Sequence, residues 1–129
     1  MAAELGSLIL FSERVEALAA FYRALGLPLE PERHGDGPVH HTCSLGPTHF
    51  AIFAARSASS VEPAADHRGA GAQFLGLTVD DLGAAFAVSR EHGAEVVQEP
   101  KSYPWGRRAL VRDPDGRVVE LFERPRAAR

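Results

Sequence analysis

Residues 113 to 124 read Asp-Pro-Asp-Gly-Arg-Val-Val-Glu-Leu-Phe-Glu-Arg, a turn followed by a strand-like run with one carboxylate inside it. Side chains alternate faces along a strand, so Glu120 shares a face with Val118 and Phe122, while Val119 and Leu121 point the other way. A carboxylate among such neighbours costs on the order of several kcal/mol unless it is paired, hydrogen-bonded or bound to a metal. Three roles follow for Glu120: a general base, a partner for a cationic or hydroxyl-bearing ligand, or a fold residue paired with an arginine such as Arg108.

The other groups with chemistry are six histidines, one cysteine and an aromatic, basic loop. His49 precedes Ala51 by two residues and shares its strand face; of the vicinal His40 and His41, one faces each way. His34, His67 and His92 fall in loop or helix-end positions, where a solvated imidazole is ordinary. Cys43 is the only cysteine, which excludes an intramolecular disulfide and any Cys-based zinc or iron-sulfur site within the chain. It stands between Thr42 and Ser44 with no base at a recognisable spacing, and reads as a small buried thiol. In the loop 99–108, Tyr103 and Trp105 offer flat faces for stacking, and Arg107 and Arg108 offer charge for an anionic group.

These residues are positioned by a chain that repeats itself. An offset of 67 residues lays 8–30 on 75–97 without a gap and Gly26 on Gly93. Both segments read as strand, helix, strand. The first helix carries Val15, Leu18, Ala19, Phe21, Tyr22 and Leu25; the second carries Leu82, Ala85, Phe86 and Val88 behind a cap at Asp80 or Asp81. An offset of 69 lays 47–55 on 116–124. Each is the second arm of a hairpin whose first arm is 39–45 or 107–113. The predicted organisation is one domain over 1–129. It has a βαβββ module at 1–55, an Ala/Ser/Gly-rich linker at 56–72, a second βαβββ module at 73–124 and a tail at 125–129. The fold class is α+β, with one helix covering one face of each sheet and the other faces free to curl around a shared cavity.

Composition agrees with a single domain: 129 residues, 45% of them hydrophobic. The formal net charge of -3 supplies no basic field for a phosphate backbone, so nucleic acid is not an expected partner. No run approaches the roughly 18 apolar residues of a membrane span, and the start has no basic leader. A cytoplasmic protein with no membrane partner is expected.

The paired modules, the stretch Val79–Pro100 and the run Pro104–Glu123, with its aromatic-Gly-Arg and Asp-Pro-Asp-Gly elements, resemble the glyoxalase/bleomycin-resistance/dioxygenase superfamily, the vicinal oxygen chelate proteins. The resemblance implies a cupped mixed sheet, a homodimer, and metal ligands at the positions of Ser7, Ala51, Phe74 and Glu120. Of these only Glu120 ligates well, so the resemblance implies that the usual metal site is absent. A site rebuilt from His49, His41 or His40, and Glu120 is the alternative.

By alternation Ser7, Ile9 and Phe11 line one strand of the cup, His49, Ala51 and Phe53 a second, Phe74 and Gly76 a third, and Glu120 and Phe122 the last. His41, Tyr103, Trp105 and Arg108 complete the expected ligand-binding set, and Glu120 is the expected catalytic residue. The function expected first is metal-free and cofactor-free binding of a planar or aromatic small molecule, as in bleomycin-resistance proteins. The alternative is an enzyme, a lyase, isomerase or dioxygenase, that uses Glu120 as base or a rebuilt His/Glu metal site.

Overall fold

A computed structural model describes residues 1–58, 63 and 65–126. It divides into two compact units, within 1–60 and 61–129, each a four-stranded mixed sheet with one helix. The expected linker and tail fall partly on residues outside the described set. In the first unit the elements are β1 (Ser7–Ser12), α1 (Val15–Ala24), β2 (Glu30–Glu32), β3 (His40–Leu45) and β4 (Thr48–Ala54), with spatial order β1-β4-β3-β2. In the second they are β5 (Phe74–Thr78), α2 (Leu82–Glu91), β6 (Glu95–Tyr103), β7 (Gly106–Arg112) and β8 (Val118–Glu123), in order β5-β8-β7-β6. Two βαβββ modules in an α+β fold are what the repeat predicts.

Both helices end where the repeat places its glycines. Gly26 and Gly93 have φ of 107° and 90°, a left-handed conformation that glycine adopts without a Cβ penalty. At the start of α2 the Asp81 carboxylate accepts from the Ala84 N–H at 3.0 Å, and Glu123 of β8 accepts from the Leu82 N–H at 2.7 Å. The second contact fastens the helix to its sheet.

Strand pairing fixes which residues share a face. Parallel pairing of β1 on β4 puts Ser7 beside His49, Ile9 beside Ala51 and Phe11 beside Phe53. Leu10, Phe50 and Ile52 take the other face and are buried with Leu18, Ala19, Phe21 and Tyr22 of α1; the Tyr22 and Phe50 rings meet at 5.5 Å. In the second unit Val119, Leu121, Ala109 and Val111 make the equivalent core with Leu82, Ala85 and Phe86. Burying a side chain of this size contributes about 1.5–3 kcal/mol. Each module's core therefore holds its helix-free face in register. Among the described residues no helix is long and apolar enough to cross a membrane.

Candidate metal centre

The chain after α1 runs out along β2, turns through Gly35, Asp36 and Gly37, and returns as β3. Antiparallel pairing sets Glu32 directly opposite His40 and Glu30 opposite Thr42. Two residues beyond Glu32, His34 sits at the entrance of the turn, which is closed by the Gly37 N–H donating to the His34 carbonyl at 3.0 Å. The result is three donors converging from one hairpin. His34 Nε2 lies 2.9 Å from Glu32 Oε1, and His40 Nε2 lies 3.6 Å from that same oxygen. All the donor atoms are within 4.8 Å of one another. Glu32 and His34 are exposed and His40 is buried.

The rings are stacked as well as convergent. His34 packs on His40 at 5.0 Å between centroids, and His40 packs on Phe53 at 4.3 Å with planes 12° apart. Phe53 in turn lies 6.2 Å from Phe11. The cluster therefore sits at one end of an aromatic row on the helix-free face, the face that also carries Ser7, Ile9, His49 and Ala51. Phe11 and Ile9 are exposed there.

The histidines are not the set expected. His41 pairs with Ile52 in the sheet and so faces α1 rather than the ligand face. It is buried between Glu16 and Arg23: its Nε2–H donates to Glu16 Oε1 at 3.0 Å, and Arg23 Nη2 donates to its Nδ1 at 3.1 Å. The placement of His41 on the ligand face is thus corrected to His40, because β3 pairs with β4 in the register that carries His41 to the helix. His49 stays on the expected face and is exposed. Cys43 points with His41 toward the helix, and burial pushes its thiol up from its ordinary range, away from nucleophilic use.

In the second module Glu120 shares a face with Gly76, Phe122, Arg108 and the buried Leu110. Its Oε2 lies 3.3 Å from Arg108 Nε, with both side chains about a quarter exposed at 28% and 22%. The contact is an ion pair without hydrogen-bond alignment, since the buried Arg108 Nε has no hydrogen-bond partner. Gly106 lets Phe122 and the β8 backbone approach β7, while the Tyr103 and Trp105 rings stack on each other at 4.8 Å. Phe74 is exposed, with the His67 ring 6.0 Å away.

The four positions at which the resemblance implies metal ligands do not fit an ion: Ser7 is a weak donor, Ala51 and Phe74 are none, and Glu120 is engaged by Arg108. The hairpin cluster does fit. Two imidazole nitrogens and a carboxylate oxygen suit zinc, nickel, manganese or iron(II), and three protein donors leave coordination positions for an exogenous ligand. The expectation of a metal-free binding protein is overturned by this cluster. The spacing Glu-x-His-x5-His over 32–40 is the signal that could have found it. It needs the hairpin to be recognised first.

Comparison with known proteins agrees with the fold. No curated protein matches the chain. Among solved structures, a glyoxalase-related enzyme from Fulvimarina pelagi superposes with TM-score 0.71 at 18% identity, covering 98% of this chain and 94% of its own. TioX from Micromonospora sp. ML1 gives 0.65 at 22% identity, over 95% and 100% of the two chains. TnmS3, an antibiotic binding protein from Streptomyces sp. CB03234, gives 0.62 at 23% identity over 96% and 98%. At these identities the likeness speaks for the fold alone. The sequence profile of the superfamily matches residues 4–121, nearly the whole of both modules, and on that ground the chain belongs to the Glyoxalase/Bleomycin resistance protein/Dioxygenase superfamily.

Proposed function

We propose that the protein is a divalent-metal enzyme of this superfamily acting on an oxygen-bearing small molecule, with the metal held by Glu32, His34 and His40. The observation that carries the reading is the convergence of two histidine Nε2 atoms on one carboxylate oxygen, at 2.9 and 3.6 Å. A metal bound there supplies Lewis-acid polarisation of a substrate oxygen. The chain's own part is to hold and orient. Glu32 and His40 are paired across β2 and β3, the His40 ring is clamped between His34 and Phe53, and the exposed Phe11 and Ile9 offer an apolar surface to the substrate's body. Lyase, isomerase and dioxygenase chemistry all use this division of labour. The reading does not rest on Glu120, whose carboxylate is paired with Arg108.

The deciding experiment is the metal content of the purified chain after incubation with Zn, Ni, Mn and Fe(II) and exhaustive dialysis. About one equivalent is expected, lost in Glu32→Ala, His34→Ala and His40→Ala and retained in Glu120→Ala. A wild-type chain that retains none overturns the proposal. So does one whose retained metal survives loss of all three residues.

A further inference from the structure

We propose that Thr42 is a positioning residue of the metal centre, acting through Glu32. This rests on the assignment of Glu32, His34 and His40 as ligands. The Thr42 hydroxyl donates to Glu32 Oε2 at 3.1 Å, and Oε1, the other oxygen of that carboxylate, is the one that both histidines face. One oxygen is thus held by the sheet while the other is presented to the metal position.

The need for such a hold follows from where Glu32 sits. Strand β2 has three residues, all exposed, and lies at the edge of its sheet; the Glu32 side chain is 45% exposed. An exposed glutamate samples many rotamers, and each rotamer that turns Oε1 away from the imidazoles subtracts from affinity. Thr42, by contrast, stands on β3 between two partners, Glu30 on one side and Ala51 on the other. Its β-branched side chain is stiff at χ1, so its hydroxyl is a fixed point. In the sheet it faces Glu30 directly, yet it bonds the diagonal neighbour Glu32. Because an ionised carboxylate only accepts, the hydroxyl must be the donor, and the bond orients the carboxylate as well as anchoring it.

A cross-strand Thr–Glu bond is also an ordinary way to stabilise a sheet edge, and the two roles predict different readouts. The test is zinc titration by calorimetry on wild type, Thr42→Val, which keeps shape and loses the hydroxyl, and Thr42→Ser, which keeps the hydroxyl. Metal-free melting temperatures and the Co(II) d–d absorption spectrum are recorded alongside. We expect Thr42→Val to weaken zinc binding by about 10- to 100-fold, as loss of an outer partner of a ligand does, and to change the cobalt spectrum. Thr42→Ser should return the affinity to within a few-fold of wild type. A Val variant that binds zinc as tightly as wild type, with only its metal-free melting temperature lowered, overturns the proposal. So does a Ser variant as weak as Val. If wild type itself takes no zinc or cobalt, the metal-centre assignment fails and the role of Thr42 goes with it. If wild type binds and the Val variant binds equally, only the role of Thr42 fails.

Discussion

The imidazole of His40 lies on the ring of Phe53 with centroids 4.3 Å apart and planes within 12°, and His40 is 5% exposed. A buried ring in face contact has little freedom about χ2, so Phe53 sets the plane along which His40 directs Nε2 at Glu32. Phe53→Leu keeps the apolar character of the site and removes the flat partner. It is expected to weaken zinc binding by about tenfold, the low end for a residue that orients a ligand, whereas His40→Ala should abolish it. Calorimetric titration of both variants checks this. Equal affinity for Phe53→Leu and wild type would leave the stack with a packing role only.

Metal binding should also be visible as stability. A ligand that binds only the folded state at 100 times its Kd adds about 2.7 kcal/mol. For a chain of this length that corresponds to a rise in Tm of about 10 °C. Zinc is expected to raise the melting temperature by that order, a chelator to reverse it, and Glu32→Ala, His34→Ala and His40→Ala each to remove the response. His49→Ala should keep it, because His49 shares the face but is outside the converging group. A zinc response lost in His49→Ala would move the centre toward β1 and β4.

How much of this was legible in the sequence depends on how local each determinant is. The helix ends at Gly26 and Gly93 depend on a few neighbouring residues and the repeat displays them twice, while the cap at Asp81 is equally local but belongs to α2 alone, since Arg14 at the start of α1 makes no side-chain cap. Alternation likewise places Ser7, Ile9 and Phe11 together. The vicinal His40 and His41 show where such reasoning stops. Alternation says that they face opposite ways, and only the pairing of β3 on β4, with His41 against Ile52, decides which faces the helix. The metal cluster was hidden for a further reason. Strand β2 reads Glu-Pro-Glu, a sequence without strand propensity that survives only as a short edge, so the hairpin that brings Glu32, His34 and His40 together carries no pattern of its own.

The ion pair with Arg108 gives the lone carboxylate of Glu120 a charged partner within its apolar strand. With side chains about three-quarters buried and Leu110 opposite, removing one partner leaves the other charge poorly compensated. Glu120→Gln is expected to destabilise the chain by about 1–3 kcal/mol and to leave zinc affinity unchanged. A double-mutant cycle with Arg108→Gln should show a coupling of about 1 kcal/mol or more. Loss of zinc binding in Glu120→Gln, at unchanged stability, would instead make Glu120 a ligand.

Within the second module, two glycines of positive φ are expected to respond differently to substitution. Gly93 has φ of 90° with open space around the position a Cβ would take, so Gly93→Ala meets only the left-handed backbone penalty, about 1–2 kcal/mol. Gly106 has φ of 142°, and an added Cβ would stand 2.6 Å from the Glu123 carbonyl oxygen and 2.6 Å from the Phe122 ring. Neither obstacle yields cheaply: the carbonyl belongs to β8 and pairs with β7, and Phe122 packs on the face that carries Glu120. Overpacking of this kind adds about 1–3 kcal/mol to the backbone penalty, so Gly106→Ala should be the more damaging by at least that much. Denaturant unfolding of the two variants in parallel measures the difference. Equal losses would mean that β8 shifts away from β7 at little cost, and a changed environment of Tyr103 and Trp105, read by fluorescence, should then accompany the shift.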